Sequence, residues 1–189
     1  MDLVWCSSPL KAVLLACALP VAIAGGAHAK VFHSRQEAVE LAFPGADRIE
    51  SKTYILDDAQ VSAVEKRSRA KLETRIVKVF SGFVGDERQG YALIDLHQVR
   101  TLPEAFLIVL TPEGRVRSLR VVAFHEPLDY MPSGRWYEQF EGRSEEEPLR
   151  VGSDIHGIAG ATLSARATTE GVRRALALYH VLVKPEAKD

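Results

Sequence analysis

A glycine-containing loop that runs straight into a helix presents free backbone N–H groups and the positive end of the helix dipole, a natural seat for a phosphate. The stretch His156-Gly157-Ile158-Ala159-Gly160-Ala161-Thr162-Leu163-Ser164-Ala165-Arg166 reads as such a junction. Gly160 and Ala161 leave room for close backbone approach, and Ser164 is placed to cap the helix. Thr162 sets a hydroxyl beside the seat, and Arg166 can reach an anion from the first turn. A plain structural reading of the same residues stands beside this one: Gly160 relieves a tight turn, Ser164 caps a helix and Thr162 is an exposed hydroxyl.

Other chemistry has little support. Of the six histidines, His28 lies in the N-terminal region, and His33, His97 and His180 stand alone as surface or structural residues. His125 and His156 fall in two loops where they could meet an anion or a partner, but no pair has metal-ligand spacing, so no metal site is expected. No G-x-S-x-G, H-E-x-x-H or Walker string is present, and the one Ser-x-x-Lys match singled out, Ser8-x-x-Lys11, lies in the N-terminal region. A hydrolase using Thr162 or Ser164 as nucleophile lacks a neighbouring base in sequence, and no catalytic residue is assigned.

The chain has 189 residues, with 24 Lys+Arg against 25 Asp+Glu and 47% hydrophobic residues, the profile of one globular domain. The near-neutral charge gives no basic face for nucleic acid. Residues 12–24, AVLLACALPVAIA, form an apolar run too short to span a bilayer as a helix. With Lys11 before it and Ala27-His28-Ala29 after it, the run reads as an export signal over residues 1–29, cleaved after Ala29; an uncleaved anchor is the alternative. Cleavage would remove one acid, one base and both cysteines, Cys6 and Cys17. The expected product, residues 30–189, is then a single domain without thiols, so redox chemistry in it requires an organic cofactor or a metal held by His and carboxylates.

The elements that must position the loop follow from patterning. Ser34-x-x-Glu37 opens a short helix that Pro44-Gly45 ends, and Arg48 to Leu56 has strand composition. Asp57 and Asp58 offer caps for a peripheral helix to about Leu72, with a face of Val61 and Val64. Thr74 to Phe83, Gly90 to Val99, Glu104 to Thr111 and Val116 to Phe124 read as four antiparallel strands, the last two joined by the turn Pro112-Glu113-Gly114. A loop from His125 to Gly134, a short helix around Trp136 to Phe140 and a solvated acidic stretch Glu141 to Pro148 come next. Apolar residues Ala165, Val172, Ala175, Leu176, Tyr179 and Val183 mark an amphipathic helix over Ser164 to Val183. The class is α+β, an antiparallel sheet of about four or more strands flanked by helices, with the C-terminal helix following the Gly160 loop.

The Gly160-Ala161-Thr162-Leu163-Ser164 segment resembles the flavinylation motif of the FMN-binding domain family, whose members include covalent-flavin subunits of the Na+-translocating NADH:quinone reductase and of Rnf complexes. Gly90-Tyr91-Ala92, Val121 to Pro127 and the Trp136-to-Phe140 helix resemble further family segments in the same order. The resemblance implies FMN as cofactor, joined through a phosphoester to Thr162 by a flavin transferase that uses FAD and Mg2+. With FMN there, the loop and helix start carrying His156, Gly160, Ala161, Leu163, Ser164 and Arg166 and the strand-end loop carrying His125 and Glu126 would bracket it. Tyr130 or Trp136 is either stacked on the ring or a core or rim aromatic, and Glu126 either bonds ring or ribityl groups or is an ordinary surface carboxylate. His156 stands where the family has an acid, with Asp154 two residues upstream, and Ala159 stands where it has serine. The expected function is an exported electron-transfer protein in the periplasm or on the outer face of the cytoplasmic membrane. It would serve a membrane or periplasmic redox partner that is quinone-, iron–sulfur- or cytochrome-linked. The alternative is a periplasmic domain that binds FMN reversibly or not at all and acts as an assembly or sensory subunit.

Overall fold

The computed structural model describes residues 30–99 and 102–185. The expected export signal, its cleavage point after Ala29 and both cysteines lie outside the described residues.

Six strands form one antiparallel sheet in the order β1-β6-β5-β4-β3-β2. They are β1 (Lys30–Val31), β2 (Arg48–Ile55), β3 (Ile76–Val84), β4 (Glu87–Gln98), β5 (Pro103–Leu110) and β6 (Val116–Phe124). The four strands read as antiparallel are β3 to β6, and the segment of strand composition from Arg48 to Leu56 is β2. Two edge strands complete the sheet: Arg48 to Ile55 lies along β3, and Lys30–Val31 adds two residues to β6. The α+β class is as read from sequence.

Strand β5 is the centre of the molecule because both of its faces are covered. Leu107 and Val109 pack with Ala38, Ala42 and Phe43 at helix α1 (Arg35–Ala42), whose Ser34/Glu37 capping box is formed. Phe106, Ile108 and Leu110 face the larger core, built with α3 (Gly134–Glu138) and α4 (Thr162–Leu178). A strand buried on both sides loses the polar alternation of a half-exposed one. This is why Phe106-Leu107-Ile108-Val109-Leu110 is unbroken.

Helix α2 (Asp58–Ser68) is capped by Asp57, whose carboxylate accepts the Gln60 N–H at 2.7 Å. It stops short of Leu72 because Arg69 turns left-handed, with φ of 53°. Its face is narrow as expected, but Val64 is completely buried in the main core.

All six apolar positions read for the C-terminal helix are buried. The helix runs over Thr162–Leu178 and closes with a wider turn, Tyr179–Val183. Tyr179 donates its hydroxyl to the Pro112 carbonyl at 2.8 Å and packs its ring on Tyr91. The far end of α4 is thereby fixed to the β5–β6 hairpin, and its first turn is left at the opposite end of the sheet. Among the described residues no helix is long and apolar enough to cross a membrane.

Candidate functional site

The loop before α4 is shaped by its own backbone bonds. Arg150 O accepts the N–H groups of Asp154 and Ile155, and Ile155 is completely buried. Trp136 donates Nε1–H to the His156 carbonyl at 2.7 Å, while the His156 N–H donates to Gln139 Oε1 at 2.7 Å. Ala161 N–H then closes a turn on Ile158 O, through Gly160 at φ of +83°. That left-handed conformation is the reason for glycine at this point.

Helix α4 begins at Thr162, two residues before the expected start, with Ala161 at the cap and no side chain bonded to the first turn. Ser164 therefore does not cap the helix. It occupies the third helical position and is buried. An end without a side-chain cap leaves the first-turn amides of Thr162, Leu163 and Ser164 without an intrahelical acceptor.

These residues line one wall of a cleft of about 130 Å³, formed by Gly160, Ala161, Thr162, Leu163 and Ser164 against Glu126, Tyr130 and Val99. The expected pairing of the α4 loop with the loop after β6 is therefore a physical juxtaposition. Glu126 is buried and accepts the Leu102 N–H at 3.3 Å. Thr162 is exposed, its hydroxyl donating a long bond to Ile158 O at 3.4 Å.

Three of the other residues singled out in the sequence lie elsewhere. His125 turns its Nδ1 to the Pro103 carbonyl at 2.8 Å, His156 is exposed on the far part of the loop, and Arg166 is exposed one turn into α4. None of them is among the cleft's lining residues. Trp136 is a core residue, packed edge-on against Tyr137 and Phe140. Of the two aromatic candidates, Tyr130 is the one that meets the cleft. Asp154 accepts the Arg150 N–H at 3.0 Å and serves its own turn.

His97 is not the isolated residue that its sequence context implied. It is buried between Asp95, 2.6 Å from Nδ1, and Glu104, 3.8 Å from Nε2. Arg174 grips Asp95 with two bonds, at 2.9 and 2.8 Å. Burial alone would push the Asp95 carboxyl upward, but the bonds from His97 and Arg174 outweigh it and hold its pKa at about 2. Glu104 goes the other way, raised to about 8 by burial and then by the charge of Glu126. The signal for this group was present: Asp95 and His97 continue the inward face of Tyr91 and Leu93 at a period of two. His180 likewise has a partner, Glu145 at 3.2 Å.

Residues 103–177, from β5 through nearly all of α4, match the profile described as the FMN-binding domain. The chain is 28% identical over 85 residues to one component of the Na+-translocating ferredoxin:NAD+ oxidoreductase complex of Acetobacterium woodii. That match covers 40% of this chain and spans only 41% of the relative. Among solved structures, NqrC of Shewanella oneidensis superposes with a TM-score of 0.51 at 12% identity, over 76% of this chain and 86% of NqrC. The resemblance carried by the Gly160-Ala161-Thr162 turn is thus borne out: over residues 103–177 the chain matches the FMN-binding domain family, and its α+β fold is that of NqrC.

Proposed function

We propose that this chain is an FMN-binding electron-transfer module of the Rnf and Nqr type, with the flavin phosphate at the start of α4. The observation that carries the reading is the meeting of an uncapped helix end, the Thr162 hydroxyl and the Glu126 loop at one cleft. The first-turn amides of Thr162, Leu163 and Ser164 suit a phosphate, as donors and through the helix dipole. Tyr130, Val99 and Leu163 supply apolar surface for a ring system, and Glu126 supplies an acceptor for ribityl or ring N–H and O–H groups. The residues present fit the group.

FMN, when bound, supplies the redox chemistry, taking two electrons and passing them singly. The chain's own part is to seat the phosphate, fix the ring's orientation and set the charge around it. Attachment through a phosphoester to Thr162 by a flavin transferase belongs to this proposal, and the exposure of Thr162 leaves its hydroxyl accessible to such an enzyme. Export with cleavage after Ala29 belongs to it as well. So does a membrane or periplasmic redox partner that is quinone-, iron–sulfur- or cytochrome-linked. His156 and Ala159 in the motif favour the second reading, reversible FMN binding by the same cleft.

The test is the full chain produced in a host that exports it and contains the flavin transferase. Intact mass should show loss of residues 1–29 and gain of one FMN, with in-gel fluorescence that survives denaturation and vanishes in Thr162→Ala. Flavin that co-purifies but separates on denaturation selects the reversible reading. Protein that neither retains nor binds added FMN overturns both.

A further inference from the structure

Behind the cleft lies a line of buried polar groups for which seating a flavin gives no reason. Asp95 and His97 share the β4 face that looks toward α4, and Glu104 is the cross-strand partner of His97 on β5. An ionised Asp95 can only accept, so the 2.6 Å contact requires that His97 Nδ1 carry the hydrogen, which leaves Nε2 as the end that faces Glu104. Glu104 is completely buried. Among the described residues neither of its oxygens, nor His97 Nε2, nor the Tyr137 hydroxyl has a hydrogen-bond partner. Arg174 is committed to Asp95.

A buried carboxylate with no donor is a costly charge, and the group escapes the cost by keeping its proton. The groups that face Glu104 reinforce this. From β4 come His97 and, behind it, Asp95; from α3 comes Tyr137, whose hydroxyl is pushed up by burial and then by Glu104; from α4 comes Arg174, held away by Asp95. From the loop after β6 comes Glu126, a wall of the cleft, whose charge acts directly on Glu104. Glu104 is therefore coupled, through Glu126, to the space in which the flavin is placed.

We propose that Glu104 and His97 form a buried proton-exchange site behind the Thr162 cleft: Glu104 holds a proton at neutral pH, and its proton affinity rises when negative charge enters the cleft. The coupling to redox state rests on the flavin reading of that cleft. Two electrons from an external reductant add two negative charges to the flavin. At a pH near 8, where part of the Glu104 population is ionised, the protons that answer them come from the buffer and end on the flavin and on a Glu104 oxygen, with His97 Nε2 as the neighbouring atom. No other bond forms or breaks.

The first measurement uses flavin-free protein and needs no activity. Infrared titration should show a protonated carboxyl C=O stretch at neutral pH that disappears around pH 8. The band should be absent in Glu104→Gln and should titrate at lower pH in Glu126→Gln. Absence of the band at neutral pH in the wild type, or its survival in Glu104→Gln, overturns the site. The second measurement uses FMN-loaded protein reduced with dithionite in weak buffer near pH 8, with proton uptake read from a pH indicator. Glu104→Gln should take up fewer protons per flavin, by up to about one half, since Glu104 is already about half protonated near pH 8, with unchanged flavin loading. Equal uptake in the two proteins overturns the coupling. If no flavin loads, the function proposed above falls, and the coupling to redox state falls with it, while the infrared result still decides the proton-holding site.

Discussion

Asp95 accepts from an arginine and a histidine, Glu104 accepts from no donor among the described residues, and Thr162 stands in solvent. Three side chains within one site thus meet three different environments, and substitution should separate them. Arg174→Met removes the two bonds that stabilise buried Asp95 and leaves a charge with one partner. We expect a loss of about 3–5 kcal/mol, read as a fall in the urea midpoint, because breaking a buried pair strands the other member. Thr162→Ala removes only a 3.4 Å bond at the surface. Its stability, read from the urea midpoint, should stay within about 0.5 kcal/mol of wild type, while gel fluorescence is lost; destabilisation comparable to that of Arg174→Met would assign Thr162 a structural part. The Thr162 motif was legible because its residues are consecutive. Of the Asp95–His97–Glu104–Arg174 group only the period-two placing of Asp95 and His97 on β4 was there to read; the rest was not, because its members come from two strands and a helix, and only the sheet register brings His97 opposite Glu104.

At the scale of elements, patterning located the strands from β3 to β6 and the C-terminal helix, since each has a long apolar period. It left out β1 as an element and found β2 by strand composition over Arg48 to Leu56 rather than by alternation, because the edge strand Arg48–Ile55 is exposed along most of its length and carries no inward face to read. The start of α4 was misplaced by two residues for a related reason. Ser164 is a good capping residue, but the chain turns at Gly160 and Ala161 and buries the serine instead. Gly171 gives a test of how tightly α4 is held on the sheet. Glycine to alanine in a helix ordinarily gains up to about 1 kcal/mol. Here a Cβ would lie 2.6 Å from Asp95 Oδ2, an atom fixed by Arg174 and His97. Gly171→Ala should therefore destabilise, by about 1–3 kcal/mol. In an Asp95→Ala background, where the obstacle is gone, the same change should become neutral or stabilising. A gain in thermal midpoint for Gly171→Ala alone would mean that α4 shifts freely over β4.

For the whole molecule, the two buried carboxyls tie stability to pH with opposite signs. Asp95 has its pKa depressed from 3.8 to about 2, so its contribution is fully present above 3.8 and is lost as pH falls through 2. Glu104 has its pKa raised from 4.5 to about 8. Between those values the folded chain binds a proton that the unfolded chain has released, so stability declines as pH rises from 4.5 to 8 and then levels. The domain should be most resistant to urea on the acid side of neutrality, short of the region where Asp95 protonates. Other groups titrate over the same range, so the measurement is the difference between wild type and Glu104→Gln at a series of pH values. At pH below 4.5 both proteins carry a neutral group at position 104 and the difference should be constant. It should then move in favour of Glu104→Gln across the window and reach a plateau above pH 8, with a total change on the order of a few kcal/mol. A difference that does not vary with pH would mean that Glu104 ionises normally in the folded chain. An ionised Glu104 would need a cation or donor within reach, and among the described residues its ion-pair partner is His97 at 3.8 Å. A flat difference would therefore overturn Glu104 as a buried proton-holding group.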